Sequence, residues 1–270
     1  MCDWEISQVS EKIDEDYDPV AEGFRNPPVQ VTEPCLTYIA RIMELREFVS
    51  FYFNFVKTSQ NLAKLIPTTE KGTAHEKELK VLEYNFSSQR PLMNQIMLSR
   101  AAESFDLYLT TILRDIFLSR PEMLKSEGTV DVATIIDTGN YDDLIWQIVE
   151  RRVHELSYKP LSELRKFIES RTGIDPFPSQ ESFEMTVVAS EIRNLIAHND
   201  CIINDLFKAR TKKISFPLEV SETGRIKIDD LWLRRASYTL DALVFRFDEL
   251  VAKKFELRSM VRMGAFILRS

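Results

Sequence analysis

A chain of 270 residues that is 44% hydrophobic and 29% charged has the composition of a soluble globular protein with material for a sizeable core. Only seven glycines are present, which argues against a barrel or a glycine-rich nucleotide-binding fold. The longest apolar run, Phe48 to Val56, is too short to span a bilayer, so no membrane association is expected.

The net charge of −7 is unevenly placed. Residues 1–34 hold nine acids against Lys12 and Arg25, so the remainder of the chain is neutral. Clustered acids, Asn26-Pro27-Pro28 and Pro34 make residues 1–34 an acidic arm, expected to be mobile or loosely docked. Such an arm either solubilises the chain or mimics nucleic acid over a basic cleft. Cys2, Cys35 and Cys201 are odd in number and far apart, which reads as a reducing cytoplasm and no disulfide framework.

Residues 35–270 read as one helical domain. Tyr38, Ile42, Leu45, Val49, Tyr52 and Val56 step by four and three, the stripe of a long helix. Phe48, Phe51 and Phe55 add a second apolar face, so this helix is expected to be covered on two sides. Pro67, Thr68-Thr69 and Gly72 are expected to end it. A short helix over about 74–84 and a turn before Pro91 come next. Leu98, Ala102, Phe105, Leu109, Ile112 and Ile116 then repeat the four-three rhythm until Arg120-Pro121. Two such stripes predict an antiparallel bundle, hence an all-α fold.

Gly128–Asn140 reads as a loop with a short helical piece. Asp142 is expected to cap a helix over about 143–156, with Leu144, Ile145, Ile148 and Val149 inward. Pro160 opens another, ended by Gly173. After the turn Asp175–Ser179, Met185, Val188, Ile192 and Leu195 form the core face of a further helix, with Asn199-Asp200 at its end. Residues 213–228 read as a small β-hairpin around Glu222-Thr223-Gly224, before a final helix over about 229–257.

Near the end of the 182–199 helix stand Arg193, Asn194 and His198. Glu191, Asn194 and His198 share one stripe, and Asn194 is one turn before His198, within reach of an amide–imidazole hydrogen bond. Arg193 lies about 140° around the helix from His198. A guanidinium suits phosphate and an imidazole exchanges protons near neutrality, which together suit metal-free RNA cleavage. A helix C-terminus also favours a histidine for its dipole, and a nearby arginine also covers surface. The spacing leaves both readings open.

The stretch Glu191-Ile192-Arg193-Asn194-Leu195-Ile196-Ala197-His198-Asn199 resembles the signature of the HEPN superfamily: Arg, four to six residues, then His. Arg100–Leu109 resembles that family's early long helix, and Leu156–Tyr158 with Leu164–Ile168 resemble the helices before its motif, so the likeness spans about 90–210. The resemblance implies a homodimer whose two motifs meet in one cleft and act as a metal-independent RNA endonuclease without a cofactor. It also implies a toxin–antitoxin or phage-defence setting, with an antitoxin or other regulatory partner protein. Some members of the family are inactive interaction modules. On this resemblance His198 is the acid/base, Arg193 the transition-state stabiliser, and Asn194 orients the imidazole or contacts phosphate. Glu103, from the early helix, is expected to hold Arg193 or His198, or else to be an ordinary exposed glutamate. Lys208, Arg210, Lys212 and Lys213 form either a phosphate-holding patch or a solvated basic loop, with Arg151-Arg152 and Arg234-Arg235 as weaker candidates. The three histidines and three cysteines lack metal-ligand spacing, and neither His75-Glu76 nor His154-Glu155 has the second histidine of a zinc helix.

Overall fold

The computed structural model describes residues 30–65, 74–125, 129–215 and 217–261. Among them are eight α-helices and two small two-stranded sheets, an all-α helical bundle. The first pair, α1 (Glu33–Leu65) and α2 (Ala74–Ser119), is antiparallel: Tyr38 meets Tyr108 edge-on, while Val49 packs on Met93. Their core stripes fall where the four-three rhythm puts them, with Leu98, Ala102, Phe105, Leu109, Ile112 and Ile116 all buried. The last helix, α8 (Asp230–Phe255), lies along both, contributing Leu240, Leu243, Val244, Phe247 and Val251 to the same core.

Where 74–84 and 98–116 read as separate helices, the structure has one. Pro91 sits inside α2, exposed, although an interior proline costs about 3 kcal/mol. Tertiary contacts on both sides of it hold the axis. Arg90 pairs with Asp230 at the start of α8, Met93 is buried against Val49, and Asn94 donates to Ile228 O at 2.9 Å. Local propensity is overridden by these anchors. A second expectation fails on α1: Phe48, Phe51 and Phe55 are 56%, 70% and 62% exposed, so that face is uncovered among the described residues. The helix is packed along its Tyr38–Ile42–Val49 side, and α2 and α8 both use that side. The residues expected to end α1, Pro67 to Gly72, lie outside the described residues.

The arm divides. Residues 1–29 lie outside the described residues, while Gln30–Thr32 form β1, which pairs antiparallel with β4 (Ser259–Val261), and Glu33 and Pro34 open α1. Thr32 is buried because its N–H and hydroxyl both donate to Asp248 of α8. Asp248 also accepts from Tyr108, and Asp241, two turns earlier on α8, accepts from Tyr38 at 2.7 Å and Arg46 at 2.6 Å. Burial pushes both carboxyls up from the usual carboxylate range, and these donors pull them back in part. Two acids in an otherwise apolar stripe thus fix how α1, α2 and α8 meet.

Against α2 packs α4 (Tyr141–Ser157), with α3 (Val132–Thr138) lying on α4 and Phe167 of α5 (Leu161–Thr172) meeting Phe117 of α2 edge-on. Asn140, not Asp142, caps α4: its side chain accepts from Asp142 N and Asp143 N. The two aspartates instead place charge in the first turn, where the dipole favours it. Gly173, with φ 64°, ends α5.

Candidate functional site

The motif helix, α6 (Gln180–Asn199), begins at Ser179, whose side chain and that of Ser182 cap one another reciprocally. Val188, Ile192 and Leu195 bury its inner face against Leu98 of α2 and Trp232 and Leu233 of α8. At its end Asp200 and Cys201 both adopt left-handed backbone, φ 48° and 60°, which non-glycine residues take only when the surroundings impose it. The surroundings here are explicit. Cys201 N donates to Leu195 O at 3.0 Å, Ile202 N to Asn199 O at 2.9 Å, and the Asn199 amide to Ile202 O at 2.6 Å. Arg225 then grips the Asp200 carboxylate with Nη1 and Nη2.

Arg225 belongs to the hairpin. Its strands are β2 (Glu219–Val220) and β3 (Ile226–Lys227), shorter than the expected 213–228 element. Ile214 N turns back to Thr211 O instead of extending, so the described residues of the expected first strand, 213–215 and 217–218, are not strand. The hairpin is sewn to the chain just after α6, through Ile203 N to Gly224 O and Ile226 N to Cys201 O. It therefore fixes the helix end that carries His198.

The predicted residues are not all brought together. Arg193 turns toward α2, where Nη2 donates to Asp106; its Nε is buried without a hydrogen-bond partner among the described residues. His198, one turn on, is exposed. No hydrogen bond joins Arg193 to His198, and the expected Asn194–His198 hydrogen bond is absent among the described residues; Asn194 is half-buried. Glu103 does not hold Arg193: it pairs with Arg100 at 2.9 Å on its own helix. The early helix does supply an acid to the motif arginine, but that acid is Asp106, three residues later. Burial pushes the Asp106 carboxyl up, Arg193 pulls it back in part, and Glu103 adds to the rise. Spacing alone does not separate Asp106 from Glu103 as that partner, since both are acids on one helix and packing decides which faces Arg193.

The basic cluster is divided by its own partners. Arg210, on α7 (Asp205–Thr211), is bound by Glu191 at 2.9 and 3.3 Å, a strap from α6 to α7. Glu191 therefore acts on Arg210 and not on His198, and Arg210 is not a free phosphate ligand. Lys208 stands 3.5 Å from Asp205 with both side chains largely exposed, too loose a pair to withhold it. Lys212 and Lys213 are exposed and make no ion pair among the described residues. Of the weaker candidates, Arg152 pairs with Glu155 at 3.0 Å and lies over the Phe167 ring at 4.7 Å.

Cys35 and Cys201 are buried free thiols. Burial together with Asp248 pushes the Cys35 thiol far up, so it is no nucleophile. Among the described residues no three His, Cys, Asp or Glu side chains cluster as a metal ion would require, and no helix is long and apolar enough to cross a membrane. The arrangement thus offers an anchored guanidinium, an exposed imidazole at a helix end, and exposed lysines on α7 and the turn after it. No family model matches this chain, and neither the curated proteins nor the solved structures contain a significant match to it.

Proposed function

We propose that the chain is a metal-independent RNA endonuclease of HEPN type that acts as a two-fold dimer. The observation that carries this reading is the Arg193–Asp106 pair: it clamps the guanidinium between α6 and α2 while His198 stays in solvent on the same helix. In one chain the two groups point apart. In a dimer with the α6 ends opposed, the Arg193 and His198 of both copies line one cleft. One imidazole accepts the ribose 2′-OH proton, the 2′-oxygen attacks phosphorus, and the bond to the 5′-oxygen breaks. An imidazolium of the second copy returns a proton to that oxygen, and Arg193 stabilises the charge on phosphorus. Lys208, Lys212 and Lys213 hold flanking phosphates without reading sequence. A cytoplasmic toxin or phage-defence role, restrained by a partner protein, follows from the same resemblance.

A second reading is a catalytically silent helical dimer that binds protein or RNA. The observation favouring it is that Arg193 is engaged by Asp106 through Nη2 and the exposed Phe48, Phe51 and Phe55 offer a contact face. RNA cleavage in EDTA by the wild type and by His198→Ala, with light scattering on both, separates the two. The nuclease reading requires a dimer and cleavage that His198→Ala abolishes. A stable monomer, or cleavage equal in both proteins, refutes it.

A further inference from the structure

A cavity of about 630 Å³ opens at the C-terminal end of α2, between α4 and the chain around the short 3-10 turn Pro121–Leu124. Its volume lies within the roughly 300–1,000 Å³ of small-molecule sites. Leu124, Ile145 and Ile148 give it an apolar floor. At the rim Arg151 and Lys125 are exposed and have no acidic partner among the described residues. Tyr141 lines the same cavity and is 72% exposed, so its side chain is accessible to a ligand. The neighbouring Arg152 is engaged by Glu155 and Phe167, which leaves Arg151 as the arginine with its donors free.

We propose that this cavity binds a nucleoside monophosphate, with the base between Tyr141 and the apolar floor and the phosphate between Arg151 and Lys125. A flat ring stacks on an aromatic side chain, and a phosphate takes the planar fork of arginine. Two further rim groups separate a nucleotide from a simple fatty acid. Glu122 and Thr129 line the cavity, and each can exchange hydrogen bonds with ribose hydroxyls or a base edge. An alkyl chain offers neither group a hydrogen-bonding partner.

The site is independent of the motif. Arg193 meets α2 at Asp106, whereas α4 meets it at Arg114 through Glu150, eight residues on, or about 12 Å along the helix. The inference therefore stands whether or not the chain cleaves RNA.

Isothermal titration of the full chain with adenosine 5′-monophosphate, adenosine, inorganic phosphate and decanoate tests it. The monophosphate is expected to bind one per chain, with adenosine and phosphate each at least about tenfold weaker. Arg151→Ala and Tyr141→Ala should each weaken it about tenfold at unchanged melting temperature, since both side chains are exposed. His198→Ala should leave it unchanged. Absence of binding at millimolar monophosphate, equal binding in the Arg151 and Tyr141 variants, preference for decanoate, or loss in His198→Ala would each overturn the assignment.

Discussion

Replacing Asp106 by alanine removes the acid that holds Arg193 among the described residues, and the structure sets the size of the effect. The side chains are 38% and 26% exposed, so the pair lies between a surface ion pair and a buried one. Surface pairs contribute about 0.2–1 kcal/mol, and hydrogen bonds to charged groups about 1.5–3 kcal/mol. The alanine leaves a guanidinium whose Nε is already unpaired, which puts the cost near 1.5 kcal/mol. For a domain of this size that lowers Tm by about 3–6 °C. Arg193→Ala removes the same contact, so the double variant should cost less than the two singles combined. Urea unfolding of all four proteins at neutral pH gives the coupling energy directly, expected at about 1 kcal/mol. Coupling below about 0.3 kcal/mol would show that the pair does not clamp α6 to α2.

Other expectations follow from the same geometry. Ile112→Ala, at a fully buried position, should cost about 2–5 kcal/mol, whereas Phe51→Ser should change monomer stability by no more than about 0.5 kcal/mol in denaturant titrations. Burial raises the Asp230 carboxyl, but the Arg90 and Asn94 hydrogen bonds outweigh it and hold the group below its ordinary value. The folded state therefore binds this proton less readily than the unfolded chain. The contribution of Asp230 is complete above the ordinary carboxylate range and is lost as pH falls through the lowered folded value. Asp230→Asn should flatten that part of the acid limb in unfolding midpoints. Gly173→Ala should destabilise by about 1 kcal/mol by thermal melting, because φ is 64° and an added Cβ would stand 3.0 Å from Lys254 Nζ.

Periodicity makes most of the bundle legible in the sequence. The α2 stripe is buried where spacing put it, as are Tyr38, Ile42 and Val49 of α1 and Val188, Ile192 and Leu195 of α6, because a helix face at period 3.6 has one way to leave water. What sequence misread were places where distant groups decide. Pro91 reads as a break unless Arg90, Met93 and Asn94 are known to be anchored by α8 and α1. Phe48, Phe51 and Phe55 read as core because hydrophobicity tells which residues favour burial, not whether a neighbour is present. At the site, the motif was visible from local spacing, but its partners were not. Glu103 and Asp106 are both acids on the early helix, and only packing decides that Asp106 faces Arg193. Likewise Glu191 seemed to belong with His198 on one stripe, until α7 folded back and gave it Arg210.

The claim at the centre of this account is 2′-OH attack at a metal-free site built on Arg193 and His198. Mass spectrometry of the fragment ends, after cleavage in EDTA of an RNA and of the same oligonucleotide carrying 2′-deoxy sugars, reads that chemistry directly. The account predicts a 2′,3′-cyclic phosphate on one fragment, a 5′-hydroxyl on the other and an intact deoxy strand, with no products from His198→Ala. Ends bearing a 5′-phosphate, cleavage of the deoxy strand, or dependence on added magnesium would contradict it.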